Sequence, residues 1–143
     1  MTWERTAGAS SAAAPEHVWG VLLDGPRWSL WNAGVDWMTV EGALEPGALL
    51  TIKPKGAPQT AFRVEAAQPR RLLVLAVRFG PVATLRLRWE LTPEAGGTTI
   101  VQTVGIGGPL AGLLLRRAAR RIGDAMPANL ERLAVRAFSL APA

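Results

Sequence analysis

Val82-Ala83-Thr84-Leu85-Arg86-Leu87-Arg88-Trp89-Glu90-Leu91-Thr92 alternates without a break: Leu85, Leu87, Trp89 and Leu91 fall on one side, Thr84, Arg86, Arg88 and Glu90 on the other. Successive side chains of a strand point to opposite faces, so this stretch predicts a strand with one dry and one wet face. Antiparallel sheets accommodate that division, whereas parallel sheets are usually buried on both faces. The dry face needs a cover.

Working outward, the same texture extends from Val35 to Ile106, in runs rich in Val, Leu, Thr and Trp that Gly and Pro clusters interrupt. Strands are expected at 35–41, 48–54, 60–67, 71–79, 82–92 and 98–106. The turns between them are Glu45-Pro46-Gly47, Gly56-Ala57-Pro58, Gln68-Pro69, Gly80-Pro81 and Glu94-Ala95-Gly96-Gly97. Such short connections join antiparallel neighbours, because a parallel pair needs a crossover of about a dozen residues.

The cover is the last segment. Leu115, Ile122, Met126 and Leu133 fall within a narrow arc at about 100° per residue, with Ala119 and Ala137 beside them. This predicts a long amphipathic helix entered through Gly107-Gly108-Pro109, with Pro127 kinking or dividing it. At the other end, residues 1–11 read as a strand, and Ser11 to Pro15 lead into a helix whose Val18, Trp19 and Leu22 share one face. Asp24-Gly25-Pro26 stops that helix, and a second short helix carries Trp28 and Trp31.

Composition bounds the function. The chain has 143 residues, enough for one domain spanning 1–143, and its 49% apolar content excludes disorder throughout. The absence of cysteine excludes disulfides, thiolate zinc sites and cysteine nucleophiles. The net charge of +5 is modest, and a pI near 11.2 reflects the many arginines and the lack of tyrosine, so no nucleic-acid partner is expected. The N-terminal residues carry Glu4 and Arg5 and lack the continuous apolar core of a signal peptide. The longest apolar runs, 72–77 and 110–115, fall far short of the ~20 residues of a membrane helix. A cytoplasmic protein with no transmembrane segment is expected.

Few residues carry chemistry. His17 is the single histidine, and it lies off the apolar stripe of its helix, where a surface role fits better than that of a general base. With no clustered Asp or Glu beside it, no metal is expected. Gly105-x-Gly107-Gly108 lacks the complete dinucleotide fingerprint, and neither that nor any other motif predicts a cofactor. Ser10 and Ser11 belong to no nucleophile elbow.

Arg116, Arg117, Arg120 and Arg121 form a basic helix face, which is ordinarily solvated and here has Asp124 at pairing distance from Arg120 and Arg121. Its functional alternative is an anionic partner. Gln102 alternates with Ile100, Val104 and Ile106, which puts a neutral amide on the dry face, where it requires partners. Asn129 on the last helix raises the same question.

The order of a strand, two short helices, six antiparallel strands and a long helix resembles the helix-grip arrangement of START-like domains. The resemblance rests on Ala14-Pro15-Glu16-His17-Val18-Trp19 with Leu22 and Asp24, on Arg27-Trp28-x-x-Trp31-Asn32, and on Glu41-Gly42 and Glu45-Pro46-Gly47. It continues with Gly96-Gly97-Thr98 and Gly108-Pro109-Leu110. The chain is similar to the SRPBCC superfamily, and within it to the polyketide cyclase/dehydrase-like branch. That likeness implies an α+β fold: a curved antiparallel sheet of about seven strands wrapped around a long C-terminal helix, with two short helices between strands 1 and 2. It also implies a cavity between sheet and helix for a hydrophobic or amphipathic small molecule such as a lipid, a polyketide or an aromatic metabolite.

By alternation and helical phase, the residues facing such a cavity are Met38, Phe62, Val64, Leu75, Val77, Leu85, Leu87, Trp89, Gln102, Val104, Ile122 and Met126. An enzyme of the cyclase or dehydratase type would need a proton-handling group among them, and Asp36, which alternates with Met38, is the nearest carboxylate. No catalytic constellation is visible. A protein-docking or regulatory module, with a homodimer as one form of it, is the remaining reading.

Overall fold

In a computed structural model, which describes residues 2–141, seven strands form one antiparallel sheet in the order β1-β7-β6-β5-β4-β3-β2. The strands are β1 (Trp3–Ser11), β2 (Val35–Val40), β3 (Leu49–Pro54), β4 (Thr60–Gln68), β5 (Leu72–Phe79), β6 (Ala83–Glu94) and β7 (Gly97–Gly107). Helix α1 (Pro15–Leu23) and a 3-10 helix (Gly25–Leu30) carry the chain from β1 at one edge to β2 at the other. After β7 come a single turn, α2 (Ala111–Leu114), and the long α3 (Arg116–Leu140). This is the helix-grip fold, α+β, in which a curled half-barrel of sheet holds the C-terminal helix.

The deciding alternation is expressed fully. In the β6–β7 pair Leu85 faces Ile106, Leu87 faces Val104, Trp89 faces Gln102 and Leu91 faces Ile100, and all eight are buried. The outer face carries Arg78, Arg86 and Arg88, with Glu65 accepting from both Arg78 and Arg86. The hydrogen bond from Arg86 is the largest cause holding the Glu65 carboxyl below its ordinary value.

Curvature comes with register shifts at Val35/Trp37 in β2 and at Val64/Ala66 in β4, since a bulge bends its strand. The first shift corrects the sequence reading. The extra residue breaks strict alternation, so Asp36 and Trp37 both point outward while Val35 and Met38 point in. Asp36 accordingly pairs with Lys53 at 3.4 Å on the outside.

Helix α3 is continuous through Pro127, so proline does not divide the final helix. The division falls at Leu115, between α2 and α3. Proline removes one backbone hydrogen bond, and tertiary burial of Met126, Asn129, Leu130 and Leu133 on either side retains the helix. Asp124 also finds a different partner: it pairs with Arg5 of β1 rather than with the arginines of its own helix, which ties α3 to the sheet edge.

At the N-terminus of α1, Ser11 Oγ donates to Ala134 O at 2.8 Å and Thr98 Oγ1 donates to Ala13 O at 2.8 Å. Both hydroxyls are buried and bind backbone, as buried polar groups must. At the entry to α2, Gly108 has φ +108°, and a Cβ there would stand 2.5 Å from Val82 O. Only glycine fits that approach.

Candidate functional site: an apolar cavity under helix α3

The helix and the sheet do not close on each other along their whole length. Between the first half of α3 and the concave face lies a cavity of about 480 Å³. It lies toward the β3–β4 and β5–β6 turns, bounded by Pro54, Lys55, Ala57, Pro58 and Thr60 on one side and by Val77, Phe79 and Leu85 on the other. Trp28 of the 3-10 helix closes the inner end, and Leu115, Ala118, Arg121, Ile122, Ala125, Met126 and Asn129 form the roof.

The sequence of α3 explains the hollow. Ala118, Ile122, Ala125 and Asn129 recur at spacings of four, three and four, a single stripe along a helix. Two of these are alanines, too short to reach the sheet. The neighbouring stripe of Ala119, Met126, Leu130, Leu133 and Ala137 is buried and fills the space beyond.

Phe62, Val77, Leu85, Leu87, Gln102, Ile122 and Met126 all lie on the cavity wall. Met38, Val64, Leu75, Trp89 and Val104 do not; they are at most 3% exposed, in the packed core. Val64, Leu75, Leu87 and Val104 are one cross-strand row, of which Leu87 alone reaches the cavity. Met38 packs under Gly25, with its Cε 3.0 Å from where a glycine Cβ would sit. Alternation identifies the inner face but not the row at which the helix stands away from it. The wall residues that sequence reading passed over include Trp28, Lys55, Ala118, Arg121 and Ala125; the alanines at helical spacing with Ile122 were the available signal.

The polar groups of the wall divide into two kinds. Asn129 is held by the protein: its Nδ2 donates to Asn32 Oδ1 at 3.0 Å, and its Oδ1 accepts from Ala33 N at 3.1 Å and Arg132 Nη1 at 2.8 Å. That settles its place, facing inward rather than rotated out to solvent. Gln102 is 3% exposed, lies on the wall, and its side chain has no hydrogen-bond partner among the described residues. Next to it in the β6–β7 ladder, Trp89 Nε1 is also buried without a partner.

Trp28 is fixed from two directions. Its Nε1 donates to Leu22 O at 2.9 Å, and its ring meets Trp89 edge-on at 5.2 Å and Trp31 at 5.2 Å, an arrangement aromatic quadrupoles favour. The charged residues of the wall are Lys55 and Arg121, both at the exposed rim. Among the described residues the wall includes no carboxylate and no histidine, and no cluster suited to a metal ion occurs. His17 lies elsewhere, beside Glu16 at 3.7 Å.

A family model described as polyketide cyclase / dehydrase and lipid transport matches residues 3–137. The chain belongs to this family. Polyketide cyclase/dehydrase and lipid-transport domains are SRPBCC-type, and solved structures agree on the fold. The Zhui aromatase/cyclase from Streptomyces sp. R1128 is similar with a TM-score of 0.74 at 18% identity, covering 100% of this chain and 98% of that one. Ara h 8.0201 is similar at 0.72 and 12% identity, covering 97% and 99%. The di-domain ARO/CYC StfQ from the steffimycin biosynthetic pathway is similar at 0.71 and 13% identity, covering 97% of this chain and 51% of that one. At such identities the likeness is one of fold. No curated protein matches. Among the described residues, no helix of this family member is long and apolar enough to cross a membrane.

Proposed function

We propose that this member of the polyketide cyclase/dehydrase and lipid-transport family binds a hydrophobic or amphipathic small molecule in the cavity under α3. The observation that carries the reading is the hollow itself: about 480 Å³, within the usual range for small-molecule sites. Its wall is dominated by Leu, Ile, Phe, Val and Trp side chains. Empty apolar space of that size is costly in a domain of this length, and a bound apolar molecule restores the missing contacts. Lipids, polyketides and aromatic metabolites fit that description.

A cyclase or dehydratase is the competing reading. It is disfavoured by the wall's composition: Asp36 is outside and paired with Lys53, and Gln102 cannot exchange a proton at neutral pH. Native mass spectrometry of the protein purified from its own host tests the proposal. A retained apolar molecule supports it, and so does quenching of the intrinsic tryptophan fluorescence by added hydrophobic ligands. A protein that arrives empty and takes up no hydrophobic ligand overturns it.

A further inference from the structure

The polar groups of the cavity constrain its occupant more narrowly than its volume does. On the β7 wall, the Gln102 side chain is almost wholly buried yet has no hydrogen-bond partner among the described residues. An amide on the wall with no bond from the protein is open to whatever polar group enters the cavity. Asn129 in the roof shows the alternative, since Asn32, Ala33 and Arg132 bond it. Gln102 offers one acceptor and two donor hydrogens, so it can serve a carbonyl or a hydroxyl.

At the rim the chemistry is different. Lys55 and Arg121 border the mouth, and both are exposed. The nearby carboxylates are engaged elsewhere, Asp36 with Lys53 and Asp124 with Arg5. Neither rim cation has an ion pair among the described residues. With no acidic residue on the wall to compete, an anionic group at the mouth is met by two positive charges, and Arg121 can hold it by paired N–H donors.

Resting on the ligand-binding reading, we infer that the occupant is an amphiphile polar at both ends: an anionic group, such as a carboxylate, held at the mouth by Lys55 and Arg121, and a neutral carbonyl or hydroxyl at the inner end against Gln102. The apolar stretch between them lies against Phe62, Leu85 and Ile122.

The test separates this inference from the reading beneath it. N-phenyl-1-naphthylamine, an uncharged apolar dye, fluoresces on entering a dry cavity, and its binding measures the cavity alone. If the wild-type protein does not take up the dye, the ligand-binding reading fails and the inference falls with it. With dye bound, displacement by decanoate, 1-decanol and 10-hydroxydecanoate reads the two ends. Decanoate is expected to compete at least fivefold better than 1-decanol, and the advantage is expected to disappear in the double variant Lys55→Gln/Arg121→Gln. The hydroxy acid is expected to compete at least threefold better than decanoate, and that advantage is expected to vanish in Gln102→Leu, which still binds the dye. Equal competition in either comparison, or advantages that survive the matching substitutions, overturns the inference.

Discussion

Asn129 of α3 and Asn32, just past the 3-10 helix, are joined by a hydrogen bond of 3.0 Å from Nδ2 to Oδ1, and the same Asn129 Oδ1 takes the Ala33 amide hydrogen. One side chain thus anchors the roof of the cavity to the loop that enters β2. Replacing Asn129 with alanine strands the Ala33 N–H, and is expected to cost about 1–2 kcal/mol. Urea unfolding monitored by circular dichroism measures it, and an unchanged midpoint contradicts the anchor.

Gln102 behaves in the opposite sense. Because no group among the described residues bonds its side-chain amide, Gln102→Leu breaks no hydrogen bond of the fold and adds apolar contact. The ligand-free variant is expected to be about 1 kcal/mol more stable, a rise of several degrees in Tm. A loss of stability would assign Gln102 to the scaffold instead.

Ala125 keeps the hollow open. Ala125→Leu projects three more carbons into space bounded by Ile122, Leu85 and Phe62, and fills volume that a ligand would use. Dye uptake is expected to fall about tenfold while the melting temperature holds or rises, since cavity filling adds contacts. Undiminished uptake places the dye elsewhere.

Gly108 is a backbone requirement, not a matter of packing. A methyl group at Gly108 meets the Val82 carbonyl oxygen at 2.5 Å on a backbone at φ +108°. Gly108→Ala is expected to destabilise by about 2 kcal/mol or more, read as a lowered denaturation midpoint.

Glu65 sets one limb of the acid response. Arg86 donates to it at 2.7 Å and Arg78 at 3.2 Å, with the Arg86 bond the main cause of its lowered pKa. A carboxylate whose folded pKa is depressed contributes fully above the unfolded value, and the contribution is lost as pH falls through the folded one. Glu65→Gln is expected to cost under about 1 kcal/mol at neutral pH, because the cluster is partly exposed. The difference from wild type is expected to vanish in acid; a pH-independent difference would mean that charge is not involved.

Much of the fold was legible because its strongest signals are periodic. The alternation from Leu85 to Leu91 and from Ile100 to Ile106 appears in the structure as one continuous inner face, and the arc of Met126 and Leu133 is the buried side of α3. What periodicity does not carry is position along the face. Leu75 and Leu87 share a row, and Leu87 alone reaches the cavity, because the outcome depends on how far the helix stands off. The outward turn of Asp36 is not legible for a related reason: the bulge beside it shifts the pattern by one residue, a property of sheet curvature and not of the local sequence. Lys55 sits in a turn, where no period applies.

The first strand is paired only with the last. Trp3 lies opposite Ile106 and Ser11 opposite Thr98, so on a ribosome β1 waits, the edge that pairs with β7 unsatisfied, until residues 97–107 have been made. Closure over such a separation in sequence is slow. Joining β1 to β7 is therefore expected to come late in assembly of this domain, and until then β1 is open to capture by a chaperone or by a neighbouring nascent chain.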